Sequence, residues 1–286
     1  MAMERRLREA AAFRYKRAIR HLTGKPQVIA RLLLERWELD ELEYALRLWH
    51  AKDDGLKDLD GSPLFLHEIP IKEIMSAAAF EGVVVAIRHT PYAAPLLAAA
   101  LKYRENGSLA YVETALERDY YARLIQAVRF LGGQDSREGL RIIAAEIDLL
   151  NLAWLGRLHR YYADSSERFR DFLIPVLTPL AKQMARTDLS FEELNRLTAH
   201  RVGGSPQGGP REGLELDRLA LIEHLVGVEA AVLARGLLAR YPFSITSVFS
   251  FYLLTRIELK NLCTVLSGKA AGFTEDQIAR QLYGVG

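Results

Sequence analysis

The residues in this chain best suited to chemistry are its acids. Asp53, Asp54 and Asp58 resemble a loose acid cluster for Mg²⁺, and Asp58, Asp60 and Gly61 resemble part of a calcium loop, but neither pattern is complete. With Gly61 in the sixth position of such a loop, the first position is Leu56 and the twelfth is His67, so both end ligands are wrong. A turn of solvated and capping residues accounts better for Asp53 to Pro63. A second set of acids recurs at a fixed interval: Glu38, Asp148 and Glu258 stand 110 residues apart. Each lies in a similar setting: Trp37-Glu38-Leu39 with Glu41-Leu42, Ile147-Asp148-Leu149 with Asn151-Leu152, and Ile257-Glu258-Leu259 with Asn261-Leu262. A desolvated carboxylate in such a place is either a catalytic or ion-carrying group, or one half of a packing joint. Three equal copies favour the joint, because a joint is copied with its fold whereas a catalytic centre is rarely repeated.

Each acid must be presented by a helix. Residues four, seven and eleven positions on share its face. From Glu38 these are Leu42, Ala45 and Trp49; from Asp148, Leu152, Leu155 and His159; from Glu258, Leu262, Val265 and Lys269. The pattern predicts that each acid heads a buried stripe. It also predicts that Glu258→Ala would cost about 1–3 kcal/mol through a partner left unpaired. The expected fold class is all-α, with three pseudo-repeated helical units of period 110. They divide the chain, as one domain over 1–286, into 1–80, 81–190 and 191–286. Three full units exceed 286 residues, so the first is expected to be short at its N-terminus.

Helices are expected over Glu4 to Leu22, from Pro26 to Lys52, and over Ile71 to Leu101 with a break at Thr90-Pro91. Further helices are expected over Leu109 to Phe130, Ser136 to Tyr162, and Phe169 to Met184 with interruptions at Pro175 and Pro179. Asp188-Leu-Ser190 reads as a helix start. Helices over Leu214 to Arg240 and Ile245 to Lys269 follow, then a short one capped by Thr274 and ending near Leu282. Gly132-Gly133 and Tyr241-Pro-Phe243 punctuate them, and Arg201 to Gly213, with five glycines and two prolines, reads as a loop. No strand is expected.

Other chemistry finds little support. The glycine-rich loop lacks the following Lys-Ser or Lys-Thr of a phosphate cradle, and Ser267-Gly-Lys269 is followed by Ala270. The seven histidines are scattered, and the single cysteine, Cys263, allows neither an internal disulfide nor a cysteine metal cluster. A net charge of +2 gives no reason to expect nucleic acid as a partner. No apolar run reaches the length of a membrane span, and the charged N-terminus does not resemble a secretion signal. No catalytic, cofactor-binding or metal site is therefore expected. The structural motif residues are Glu38, Leu42, Asp148, Asn151, Leu152, Glu258, Asn261 and Leu262.

The repeat helices and two connecting stretches resemble the C subunit of the V/A-type (archaeal and bacterial vacuolar-type) rotary ATPases, a relative of the d subunit of eukaryotic V-ATPases. The likeness lies in Pro242-Phe243, Tyr252, Glu258, Asn261-Leu262, Gly268-Lys269-Ala270 and Gly272. It extends to Thr90-Pro91-Tyr92, to Leu109 through Leu116, and to Tyr120-Tyr121. The resemblance covers about residues 20–286; the first copy departs from it in carrying Glu41 where the others have Asn. It implies a three-part funnel around a central cavity and a non-catalytic rotor subunit on the cytoplasmic face of the membrane. The implied partners are the central-stalk subunits and the membrane ring that carries protons or sodium. A helical scaffold unrelated to ATPases, and a Mg²⁺ enzyme using Asp53, Asp54 and Asp58, are the alternative readings.

Overall fold

A computed structural model describes residues 2–53, 62–64, 66–161, 172–174 and 215–284. Among them every regular element is an α-helix, and no strand is present. They gather into two compact units, Met1–Ala127 and Val128–Gly286.

In the first unit, α1 (Ala2–Ile19) carries Glu4 in its first turn and Lys16 and Arg17 in its last, matching charge to the helix dipole. It packs against α2 (Gly24–Ala51) and buries Ala11, Ala12, Tyr15 and Ile19, with the rings of Tyr15 and Trp37 5.2 Å apart. Pro26 lies in the first turn of α2, where a missing N–H costs nothing. Lys52 ends the helix in a left-handed conformation, φ 56°. Most of the circumference of α2 is buried. Alongside Leu33, Trp37, Leu42 and Leu46, it buries Arg36, Glu38, Glu41 and Glu43.

The stretch expected to be one helix with one break is three helices: α3 (Ile71–Ser76), α4 (Phe80–Ala86) and α5 (Ala93–Asn106). The break at Thr90-Pro91 is present, with the Thr90 hydroxyl donating to the Ile87 carbonyl. The additional break, at Ala77 to Ala79, contains no proline. There the Trp49 indole N–H donates to the Ala77 carbonyl at 2.9 Å, supplying from α2 a bond that helical continuation would otherwise make. The rings of Phe80 and Tyr103 pack around the same indole. Gly107, at φ 64°, turns the chain into α6 (Leu109–Arg129).

The second unit packs α7 (Gly133–Tyr161), α8 (Glu215–Arg240) and α9 (Ile245–Ala270) mutually against one another. The Thr274 side chain and Gln277 form a capping box that starts α10 (Glu275–Ala279), which stops short of the expected Leu282. Glycines let these helices approach closely. A Cβ on Gly139 would lie 2.8 Å from the Phe249 ring, and one on Gly268 would lie 2.7 Å from Ile278. One on Gly227 would lie 2.5 Å from the Tyr283 ring.

The helix expected over Phe169 to Met184 is corrected where it is described: Phe172, Leu173 and Ile174 are not helical. Ile174 precedes Pro175, whose ring disfavours a helical residue before it. The helix start at Asp188 to Ser190, the loop at Arg201 to Gly213, and residues 54–61 with Asp54 and Asp58 lie outside the described residues.

Two alanine substitutions on α8 should separate close approach from simple helix propensity. Gly227→Ala is expected to destabilise the chain by about 1–3 kcal/mol, because its methyl displaces Tyr283. Gly236→Ala, which meets nothing within 4 Å, is expected to stabilise it by about 0.5–1 kcal/mol. Urea unfolding of the two variants checks both signs.

Candidate functional site

The repeated motif is the site with the most organised chemistry. Its second and third copies do the same thing with one asparagine. Asn151, fully buried on α7, accepts from the Ile174 N–H at 2.9 Å and donates to the Ile174 carbonyl at 3.4 Å. On α9, Asn261 accepts from the Tyr283 N–H at 2.8 Å and donates to the Tyr283 carbonyl at 3.0 Å. The captured residue lies 23 positions on in one copy and 22 in the other. A side-chain amide offers both a donor and an acceptor, so it can satisfy both backbone groups of one residue. Each asparagine thus clamps the segment that follows its helix.

The first copy carries Glu41 at that position, and a carboxylate cannot donate. Glu41 instead accepts from the Ser62 hydroxyl at 3.2 Å, 21 positions on. It also faces Arg5 and Arg8 of α1 at 3.6 and 3.8 Å. Burial raises its pKa more than these arginines lower it. Backbone capture passes to Glu38, which is wholly buried. Its Oε1 accepts from the N–H groups of Leu66 and His67 at 2.9 and 2.7 Å. Its Oε2 accepts from the Tyr92 hydroxyl at 2.8 Å and faces His67 Nδ1 at 2.8 Å. Burial, and next the adjacent Glu38 charge, push the Tyr92 phenol far up, so it remains a proton donor.

The buried stripe expected from each acid holds in two copies where it is described. Leu42 and Ala45 are buried below Glu38, and Leu152 below Asp148, itself buried; Trp49 is half-buried. The side chains of Leu155 and His159 lie outside the described residues. In the third copy the expectation is corrected: Glu258 and Lys269 are exposed, Leu262 is 43% exposed, and Val265 is half-buried. The inward line on α9 runs one residue earlier, through Thr246, Ser250, Leu253, Ile257, Asn261 and Gly268. That line is the one common to all copies, through Trp37 and Glu41, Ile147 and Asn151, and Ile257 and Asn261. In the first two copies burial extends far enough round the helix to include the acid as well.

A network of charges that the motif did not reveal joins α2 to α6. Arg36 forms a two-pronged pair with Glu117, the Nη2 to Oε1 bond being 2.7 Å, and it reaches Asp40 at 2.8 Å. Its guanidinium lies over the Tyr120 and Tyr121 rings. Arg47 bonds Glu113 at 2.6 Å and reaches Glu43 at 3.4 Å. Arg123 pairs with Glu35 at 2.7 Å and Asp119 at 2.9 Å. Around Arg36 and Arg47 stand four carboxyl groups, from Asp40, Glu43, Glu113 and Glu117. Of these four, Glu43 is buried with an Oε1 that has no hydrogen-bond partner. Burial first, and then the Glu117 charge, push its pKa well up. In the second unit, Glu146 accepts from the Tyr252 hydroxyl at 2.8 Å and from Arg256 Nε at 3.1 Å. Sequence alone could have suggested i,i+4 pairs such as Arg36 with Asp40, but not Arg36 with Glu117, 81 positions apart.

Among the described residues, no group of three or more His, Cys, Asp or Glu could hold a metal ion. No described helix is long and apolar enough to cross a membrane. Cys263 is a half-buried thiol. The arrangement binds backbone and fixes helices.

Two measurements follow from this geometry. Asn151→Ala should cost about 1–3 kcal/mol by leaving the Ile174 backbone groups unpaired. Glu258→Ala, expected on sequence to cost as much, should stay within about 0.5 kcal/mol because the carboxylate is exposed; chemical denaturation of both variants tests the contrast. The raised pKa of Glu43 reverses the sign expected of an acid whose pKa is lowered. A carboxyl whose folded pKa is raised contributes its full stability below its unfolded pKa and loses it as pH rises toward the folded value. Thermal unfolding of Glu43→Gln should therefore match wild type near about pH 4 and exceed it by several degrees near about pH 8.

The ATP synthase (C/AC39) subunit family matches residues 2–281 of this chain. The C subunit of the A-type ATP synthase of Halorubrum lacusprofundi is 30% identical over 74% of the chain, and the match spans 60% of that protein's length. The protein of the same name from Methanosarcina acetivorans is 24% identical over 98% of the chain and 76% of its own length. That from Haloferax volcanii is 27% identical over 89% and 73%. A match running through all the described helices and every copy of the motif places this chain in the ATP synthase (C/AC39) subunit family.

Proposed function

We propose that this chain is a non-catalytic coupling subunit of a V/A-type rotary ATPase, linking the central stalk to the membrane ring that carries protons or sodium. In this reading it sits on the cytoplasmic face of the membrane, held there through the complex. Its three repeats, 1–80, 81–190 and 191–286, surround a cavity that receives the stalk. The observation that carries the reading is the family match over residues 2–281, with relatives named as the C subunit of A-type ATP synthases.

The physical character of the helices supports it. A coupling subunit transmits torque between two partners, so its joints must resist sliding more than they must bind a small molecule. Buried side chains that clamp backbone, and arginines held by carboxylates on a neighbouring helix, resist sliding because displacement leaves polar groups unpaired. The choice of ion belongs to the ring in such a machine, and the chemistry of ATP to other subunits.

The test is to mix the full chain with the central-stalk subunits of its own organism and weigh the products by native mass spectrometry. A one-to-one complex is expected. If a chain that is folded and helical by circular dichroism forms none, the coupling role fails and a family member diverted to scaffold work becomes the better reading.

A further inference from the structure

We propose that one end of the second unit, formed by the α6–α7 and α8–α9 turns, rests on an anionic lipid surface. This inference goes beyond the coupling role and does not depend on it. The two turns lie side by side. The Thr246 hydroxyl, at the start of α9, reaches Asp135, at the start of α7, at 3.5 Å, and Gly139 of α7 faces Phe249 of α9. Each turn holds a phenylalanine in solvent: Phe130 is 72% exposed and Phe243 fully so, with Pro242 exposed beside it. Exposed arginines flank both, Arg129 and Arg137 on one turn and Arg240 on the other. The acids between them are withdrawn: Asp135 is half-buried and engages Thr246, and Glu138 is buried and paired with Arg141.

Helix dipoles explain only part of this. Arg129 and Arg240 close α6 and α8, where a cation is favoured. Arg137 lies near the start of α7, where the dipole disfavours one. The corresponding turn of the first unit repeats the anomaly. From Lys16 to Lys25 it carries Lys16, Arg17, Arg20 and Lys25 with no acid, and Lys25 lies in the first turn of α2. Nor does a dipole account for two exposed phenylalanine rings. Apolar tips within a basic rim match an interface of acyl chains and phosphate headgroups. The rings enter the boundary region while the guanidinium groups meet the anionic lipids. An acidic protein surface would satisfy the arginines but would leave the two separate ring tips without a matching apolar layer.

The experiment is flotation of the full chain with vesicles of phosphatidylcholine, alone or with phosphatidylglycerol added, at about 0.1 M salt. Partitioning is expected with the anionic vesicles and not with the neutral ones. Phe130→Ser combined with Phe243→Ser should weaken it by about tenfold or more. Arg129→Ser and Arg240→Ser should each weaken it by about fivefold. All four side chains lie at the surface, so melting followed by circular dichroism should be unchanged, which separates lost binding from lost folding. Three results would overturn the proposal: equal binding to neutral vesicles, binding insensitive to the phenylalanine pair, or no binding at all. The last would assign the tip to a protein partner.

Discussion

A polar group buried midway along a long helix has nowhere to send its hydrogen bonds unless another segment comes to it, and much of this chain is arranged around that requirement. Asn151 and Asn261 lie on the inward lines of α7 and α9, and each is met by the backbone of one returning residue. The match is chemical as well as geometric, because the amide's acceptor and donor answer the N–H and the carbonyl of the same residue. Either partner without the other would be a buried unsatisfied group, costing about 1–3 kcal/mol. The clamp therefore fixes where the chain returns, which hydrophobic contact alone would leave free to slide.

The α2–α6 joint meets the same requirement with charge. Desolvating Arg36 and Glu117 offsets most of what their attraction supplies, so the pair adds little to net stability. Its effect is on which arrangement is allowed. Moving α6 along α2 by a residue would strand a buried guanidinium or carboxylate, at a cost of about 3–5 kcal/mol. The surplus of acids around the two arginines has a consequence of its own: burial and the Glu117 charge raise the Glu43 pKa, so the joint favours its neutral form more than water does.

The sequence was most legible where a local rule governs. The ends of α2 and α6 and the Thr274 cap follow from nearest neighbours, as does the absence of strands among the described residues. The motif itself was legible because it recurs at equal intervals. What it clamps was not: Ile174 and Tyr283 are ordinary residues more than twenty positions away, and only the Ile174-Pro175 pair hinted at extended backbone. The break between α3 and α4 was hidden for the same reason, since its cause is the indole of Trp49, on another helix. The stripe counted from the acid lies one residue off the inward line, which starts at the apolar residue before it. On α9, which is buried along a narrower line than α2 or α7, that step is enough to carry Glu258 and Leu262 to the surface.

The difference between copies shows what the repeat preserves. In the first, a carboxylate at Glu41 cannot donate, so the carbonyl bond made by the asparagines has no counterpart there. Donors converge on it instead, a hydroxyl from Ser62 and two guanidinium groups from α1. Backbone capture moves three residues earlier, to Glu38, which as a pure acceptor takes two successive N–H groups rather than both groups of one residue. The chemistry has changed while the mechanical outcome, a helix fastened to the segment that follows it, has not. A joint tolerates that exchange as long as every buried donor meets an acceptor.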